Sequence, residues 1–350
     1  MAKEFNLSDW ARPEMLALSP YTSARDTFTA TDGEWTFLDA NENPNASAVN
    51  RYPDPNQSNL KKVIATLRNC TENQLLIGNG SDEVLDLIFR AFCTPYKDQV
   101  VIMPPTYGMY KVLANINSIG LIEVPLDKDF QLQTDNILSA ITPTTKALFF
   151  CSPNNPSGNA FRKADIQALL DAFKGIIVID EAYIDFCDFP SWSTALSAYP
   201  NLIVTQTLSK AFGMAGLRLG IAIAHPEIIA LLKRIKPPYN INTLSQQKAI
   251  EALTDKEGIA IQIAESISER KRLEKELNAF SWVKQIYPSD ANFLLIKVDD
   301  AAKRYDELLA NHIVTRNRSS QENCENCIRI SIGTPQENSQ FIAACKSLSS

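Results

Sequence analysis

The sequence predicts an α/β fold, a large doubly wound and mostly parallel sheet of seven strands, followed by a smaller C-terminal α+β unit. Three observations lead there. Short apolar runs alternate with helical patterns over the first two thirds of the chain, the pattern of βαβ units. The run Ile176–Ile179 is apolar at every position instead of alternating, as a central parallel strand covered on both faces requires. The style then changes at Lys236-Pro237-Pro238. The strands expected in the first part are Gln74–Ile77, Val100–Met103, Leu121–Val124, Ala147–Cys151, Ile176–Ile179, Leu202–Thr205 and Leu219–Ala224, with helices starting at Ser81 and Arg162. Beyond the prolines, amphipathic patterns cover 243–253 and 256–278, and strand-like runs cover 283–287, 293–298 and 328–332. The expected division is an arm over 1–40, a large domain over 41–236 and a small domain over 237–350. The arm has little periodicity and is expected to be extended and to lie over the body or a partner chain.

Composition narrows the classes of function. With 34 basic and 40 acidic side chains the formal charge is −6, and no basic block offers a nucleic-acid footprint. No apolar run approaches the ~18 residues of a membrane helix, and the polar start Met1–Asn6 lacks the apolar stretch of a secretory signal. Seven scattered cysteines in a long chain read as reduced thiols of a cytoplasmic protein. Cys324-Glu325-Asn326-Cys327 has no second ligand pair to make a zinc site, so no metal is expected. His225 and His312 have no serine motif to serve.

Six of the twelve glycines (78, 80, 158, 213, 216 and 220) fall in three short segments at or just past the carboxyl ends of expected strands, the edge where open α/β sheets bind ligands. Gly78-Asn79-Gly80-Ser81-Asp82-Glu83 leads into a helix, so it is either an ordinary N-cap or a cradle for a phosphate at the positive helix end. It is not a dinucleotide fingerprint, because Glu83 stands where a third glycine belongs, and no P-loop occurs. Ser152-Pro153-Asn154-Asn155-Pro156-Ser157-Gly158 is a turn in which Asn155 could offer an amide to a ring oxygen. In Asp180-Glu181-Ala182-Tyr183 the carboxylate either caps the next element or holds a pyridine nitrogen protonated, with Tyr183 turned to the same ligand. Lys210, among small and apolar residues after a strand, is either a surface loop lysine or an amine activated by desolvation for Schiff-base chemistry, and Arg218 offers a fork for phosphate. A phosphate, a ring nitrogen, a ring oxygen and an aldehyde together describe pyridoxal 5′-phosphate.

These segments, with Asn41-Glu42-Asn43-Pro44, Arg51-Tyr52-Pro53, Pro237-Pro238-Tyr239-Asn240-Ile241-Asn242 and Arg329-Ile330-Ser331-Ile332-Gly333, resemble the fold-type I, aspartate-aminotransferase-like enzymes. Within that group the closest resemblance is to the histidinol-phosphate aminotransferases. The resemblance implies that Lys210 forms a Schiff base with the cofactor and then shuttles the substrate proton, with Asp180 on the ring nitrogen and Asn155 and Tyr183 on the ring oxygen. It implies that Gly80, Ser81, Ser209 and Arg218 hold the cofactor phosphate, that Asp82 belongs to the cofactor site, that Tyr107 stacks on the ring, and that Tyr52 reaches the phosphate of the neighbouring subunit's cofactor across a homodimer. Arg316 and Arg329 are implied as receivers of substrate anions, with Tyr21 and Asn41 on the substrate side.

The implied reaction transfers the amino group of L-histidinol phosphate to 2-oxoglutarate by ping-pong exchange. An aromatic or other amino-acid aminotransferase, and a decarboxylase acting on threonine phosphate, are the alternatives within the fold. A cofactor-sensing module fused to a DNA-binding unit is disfavoured by the acidic balance. The segment Gln321–Asn326 matches no diagnostic pattern of the family.

Overall fold

Residues 5–19, 21 and 35–348 are described by the computed structural model, and a seven-stranded sheet runs through the larger part of it. Its strands are β1 (Leu75–Asn79), β2 (Gln99–Ile102), β3 (Gly120–Glu123), β4 (Thr145–Cys151), β5 (Ile176–Asp180), β6 (Leu202–Thr207) and β7 (Leu219–Ala224). They lie in the order β1-β7-β6-β5-β4-β2-β3. β7 is antiparallel to both neighbours and every other pairing is parallel. The connection from Leu208 to Arg218 is shorter than the roughly dozen residues a parallel crossover needs, which is why β7 must return antiparallel. Ile176, Ile177, Val178 and Ile179 are all 0% exposed, so β5 is covered on both faces as expected.

Two strand ends differ from expectation in a way that matters. β5 and β6 each run on beyond the expected run, to Asp180 and Thr207, so Asp180 belongs to the strand itself and pairs in register with Cys151 and Thr205. A polar residue at a strand's carboxyl end breaks the apolar pattern but not the ladder. At the other end, Gln74 lies in a 3₁₀ turn, where its side chain completes a capping box with Thr71.

The helix expected at Ser81 spans Ser81–Phe92, and its buried residues, among them Val84, Leu85, Ile88 and Phe92, pack against β1, β7 and β6. Arg162 stands at the N-cap position of a helix over Lys163–Ala172. Helices over Ser58–Arg68, Met109–Ile116, Ala301–Ala310 and Pro335–Ser347 add to those expected. Within 1–40, the described residues include short helices Leu7–Trp10 and Pro13–Ala17 where extended chain was expected, and Trp10 packs on Phe173 with ring centroids 6.1 Å apart.

A second sheet, β8 (Val283–Ile286), β9 (Phe293–Val298), β10 (Arg316–Asn317) and β11 (Cys327–Ser331), is antiparallel in the order β10-β11-β9-β8. Strand alternation divides β9 between two cores. Phe293 and Leu295 join the core of the large sheet, whereas Leu294 and Ile296 pack with Leu273, Trp282 and Phe341. The same alternation on β11 buries Ile328 and Ile330 in the second core and turns Arg329 to the opposite face, toward the large sheet.

Candidate active site

A cavity of about 500 Å³ opens at the carboxyl ends of β4, β5 and β6 and is closed on its far side by residues of the second sheet. All four segments singled out in the sequence, from Gly78–Glu83 to Thr207–Arg218, meet there in one chain.

One end is built from backbone. Gly80 has φ 82° and precedes the helix Ser81–Phe92, whose amino end no side chain caps. Its N–H donates to the carbonyl of Arg218 at 2.8 Å, and Arg218 itself takes the left-handed conformation with φ 55°. A Cβ at Gly80 would lie 2.5 Å from Arg218 Nη2, and one at Gly220 would lie 2.2 Å from the Ser81 amide nitrogen. Gly220 is therefore required by the close approach of β7 to the turn, and Gly80 by its left-handed backbone. Asp82 sits between the Tyr107 hydroxyl, which donates to it at 2.9 Å, and Arg218 Nη2 at 3.7 Å. Ser209 is half-buried nearby, its N–H donating to Thr207 Oγ1 at 3.1 Å.

At the centre lies Asp180, 2% exposed. Burial pushes its carboxyl up to about 6, against the opposing pull of donors from the Tyr110 hydroxyl at 3.0 Å and the Ala182 N–H at 3.1 Å. Among the described residues no cation lies within ion-pair distance of it. Lys210 is exposed to the open cavity, yet partial desolvation, then Arg329 and Arg218, hold its ammonium below the ordinary lysine range. Its Nζ lies 5.9 Å from the centroid of the Tyr183 ring. Asn155 Nδ2 donates to the Tyr183 hydroxyl at 3.3 Å, and Arg329 Nη1 donates to Asn155 Oδ1 at 2.6 Å. Burial pushes the phenols of Tyr183 and Tyr107 up, so both are neutral.

The cavity thus gathers Ser81, Asp82, Tyr107, Asn155, Asp180, Tyr183, Ser209, Lys210, Arg218 and Arg329, with Gly80 at its edge. Four candidates lie elsewhere in this chain. Arg316 pairs in register with Arg329 but is exposed and does not line the cavity. Tyr21 is 72% exposed. Asn41 and Tyr52 line a separate cavity, where Tyr52 stacks on Tyr239 at 4.5 Å. In turn, sequence reasoning missed Tyr110, Arg318 and Gln321. Arg318 follows Arg316 by one strand period, but no local motif marks either it or Tyr110, which lies in the helix Met109–Ile116.

This geometry has relatives. The family of class I and II aminotransferases matches residues 36–344. A histidinol-phosphate aminotransferase of Christiangramia forsetii is 54% identical over 99% of each chain, and one of Flavobacterium johnsoniae is 52% identical over 98% of this chain and 99% of its own. The crystal structure of the histidinol-phosphate aminotransferase from Clostridium acetobutylicum superposes with a TM-score of 0.78 at 28% identity, covering 85% of this chain and 90% of that one. An amine-bearing cleft at a sheet edge, with a buried carboxylate and an anion cradle, is the site such enzymes need, and the chain belongs to the class I and II aminotransferase family, among its histidinol-phosphate aminotransferases.

Proposed function

We propose that this chain binds pyridoxal 5′-phosphate in the cavity and converts L-histidinol phosphate and 2-oxoglutarate to imidazole-acetol phosphate and L-glutamate by ping-pong exchange of the amino group. The observation that carries the reading is the meeting of Lys210, Asp180 and Arg329 in one cavity. The residues fit the cofactor: a buried carboxylate without an ion-pair partner among the described residues suits a protonated ring nitrogen, and an uncapped helix end beside Arg218 suits a phosphate. When bound, the group supplies an electron sink for the pair left behind when the substrate α-carbon loses its proton.

The protein's own residues supply the rest. Asp180 would hold the ring nitrogen protonated, Asn155 and Tyr183 the ring oxygen, and Gly80, Ser81, Ser209 and Arg218 the phosphate, with Tyr107 on the ring face. Asp82 would orient Tyr107 and Arg218, both of which it touches. Lys210 would attach the cofactor and then, as a free amine, take the proton from the substrate α-carbon; its lowered affinity for protons suits it to that task. Arg329, half-buried and held by Asn155, would receive the anion of each substrate in turn.

Tyr52 and Asn41 would meet the cavity only across a subunit boundary, so we infer a homodimer. All seven cysteines are free thiols, which suits a reducing cytoplasm. The deciding experiment titrates purified protein with histidinol phosphate in the absence of a keto acid. The absorbance of bound cofactor should change at low concentration and return on adding 2-oxoglutarate, and Lys210→Ala, folded, should show a different starting spectrum. A response to phenylalanine but not histidinol phosphate moves the substrate to an aromatic amino acid, and carbon dioxide release from threonine phosphate moves the reaction to decarboxylation.

A further inference from the structure

Arg318 stands in the cavity wall, and among the described residues its guanidinium has no hydrogen-bond or ion-pair partner. Its Nε is buried without an acceptor, and Oε1 of Gln321, also in the wall, is buried without a donor. Arg329, by contrast, has Nη1 committed to Asn155. Arg316, Arg318 and Arg329 lie close enough to repel one another, and desolvation followed by this repulsion pulls the Arg318 guanidinium down to about 10, still charged at neutral pH. No carboxylate forms an ion pair with any of the three among the described residues. A half-buried cation with unfilled donors is costly unless a ligand supplies the counter-charge.

The backbone holds Arg318 in place. Its N–H donates to the Cys327 carbonyl at 2.8 Å, and its own carbonyl accepts from Gln321 at 2.9 Å. The chain from Arg318 to Cys327 closes through bonds from Cys324 to Gln321 at 3.1 Å and from Cys327 to Cys324 at 2.9 Å. Cys324 and Cys327 are both 0% exposed and anchor the loop in the core, and Asn323 Nδ2 ties it to the Leu126 carbonyl at 3.2 Å. The segment with no family signature is thus a rigid arm that carries a free arginine and a free amide into the site.

We propose that Arg318, with Gln321, reads the phosphate of the amino donor and so sets the preference for a phosphorylated substrate, while Arg329 alone serves the dicarboxylate partner. This rests on the reading of the substrate given above. A phosphate brings nearly two negative charges and three acceptor oxygens, which fill unused donors of a second arginine; a single carboxylate, already forked to Arg329, does not. Gln321 contributes its amide N–H₂ to the same oxygens, leaving Oε1 for a hydroxyl or water.

The test compares Arg318→Gln with the wild-type holoenzyme on histidinol phosphate, unphosphorylated histidinol and 2-oxoglutarate, with melting temperature and cofactor absorbance as controls for folding. KM for histidinol phosphate should rise about ten- to a hundredfold, the preference over histidinol should shrink by a similar factor, and KM for 2-oxoglutarate should stay within about threefold. Arg318→Lys should recover part of the loss, since a point charge remains without the fork. Equal losses for both substrates, no loss at all, or a larger loss in Arg316→Gln than in Arg318→Gln would overturn the assignment. Wild-type protein that ignores histidinol phosphate would instead bring down the substrate reading and this inference with it.

Discussion

The hydroxyl of Tyr110 donates to Oδ2 of Asp180 at 3.0 Å, from a helix (Met109–Ile116) that carries no recognisable motif. Both groups are fully enclosed, and the bond steadies the ionised form of a carboxyl that burial pushes up to about 6. Tyr110→Phe removes the donor and keeps the ring, so the carboxyl should rise further, by about one unit. Cofactor capture through the ring nitrogen needs the carboxylate. The pH below which cofactor affinity falls should therefore move upward in the variant. Titrating pyridoxal phosphate into cofactor-free protein between pH 5 and 9 checks this, and coincident midpoints for variant and wild type refute it.

Asp180 also makes stability depend on pH. Its folded value of about 6 lies above the ordinary 3.8, so the folded state keeps the proton where the unfolded chain has lost it. Stability is therefore intact below about 4, is lost as pH rises through about 6, and the full cost of about 2–3 kcal/mol stands above that. Asp180→Asn abolishes this dependence along with activity. In cofactor-free protein, the melting temperature of the variant relative to wild type should climb between about pH 4 and 7 and level off above. Glu181, whose carboxyl burial pushes up to about 7, is present in both proteins and cancels. A constant difference across that range would show that Asp180 does not titrate there.

Much of this was legible in the sequence because its signals are local. Ile176–Ile179 announces a covered strand through composition alone, and the glycine at 220 marks a place where backbone must approach backbone. The missed helix Pro335–Ser347 also carried its signal, since Thr334 and Glu337 form a capping box around Pro335. The other misses are not local. Whether Arg316 or Arg318 enters the cavity depends on how the loop from Arg318 to Cys327 packs, because a period of two places both on the face of Arg329. The partnership of Tyr110 with Asp180 joins residues 70 apart in sequence, and no pattern within either segment announces it. Tyr52 and Asn41 line a separate cavity, a separation that no spacing within their own segments announces.

Gly220 gives a test of the cradle that leaves every polar side chain in place. An added methyl would meet the Ser81 nitrogen at 2.2 Å and the Gly80 carbonyl carbon at 2.3 Å, backbone atoms that cannot swing aside. Gly220→Ala should cost about 1–3 kcal/mol, lowering the melting temperature by several degrees, and should weaken cofactor binding by displacing the turn. Equilibrium binding of pyridoxal phosphate beside a thermal melt reads both effects. A lowered melting temperature with unchanged affinity would separate the turn from the cofactor.

Arg329 is reached from β11 and held in place by Asn155 Oδ1 at 2.6 Å, with its guanidinium carbon 5.3 Å from the centre of the Phe293 ring. Stacking and the amide fix the plane of the fork before any ligand arrives, so little freedom is lost on binding an anion. Arg329→Ala removes the fork and leaves the Asn155 oxygen without its donor. Both half-reactions should suffer, with KM for histidinol phosphate and for 2-oxoglutarate each rising by about tenfold to a hundredfold. Because Lys210 also loses a neighbouring cation, its amine should take up a proton more readily, and the pH at which activity rises should move upward in the same variant. Measuring the two half-reactions separately across pH distinguishes the effects: a loss confined to one substrate would show that the arginine is not shared, and an unmoved profile would show that Arg329 does not tune the lysine.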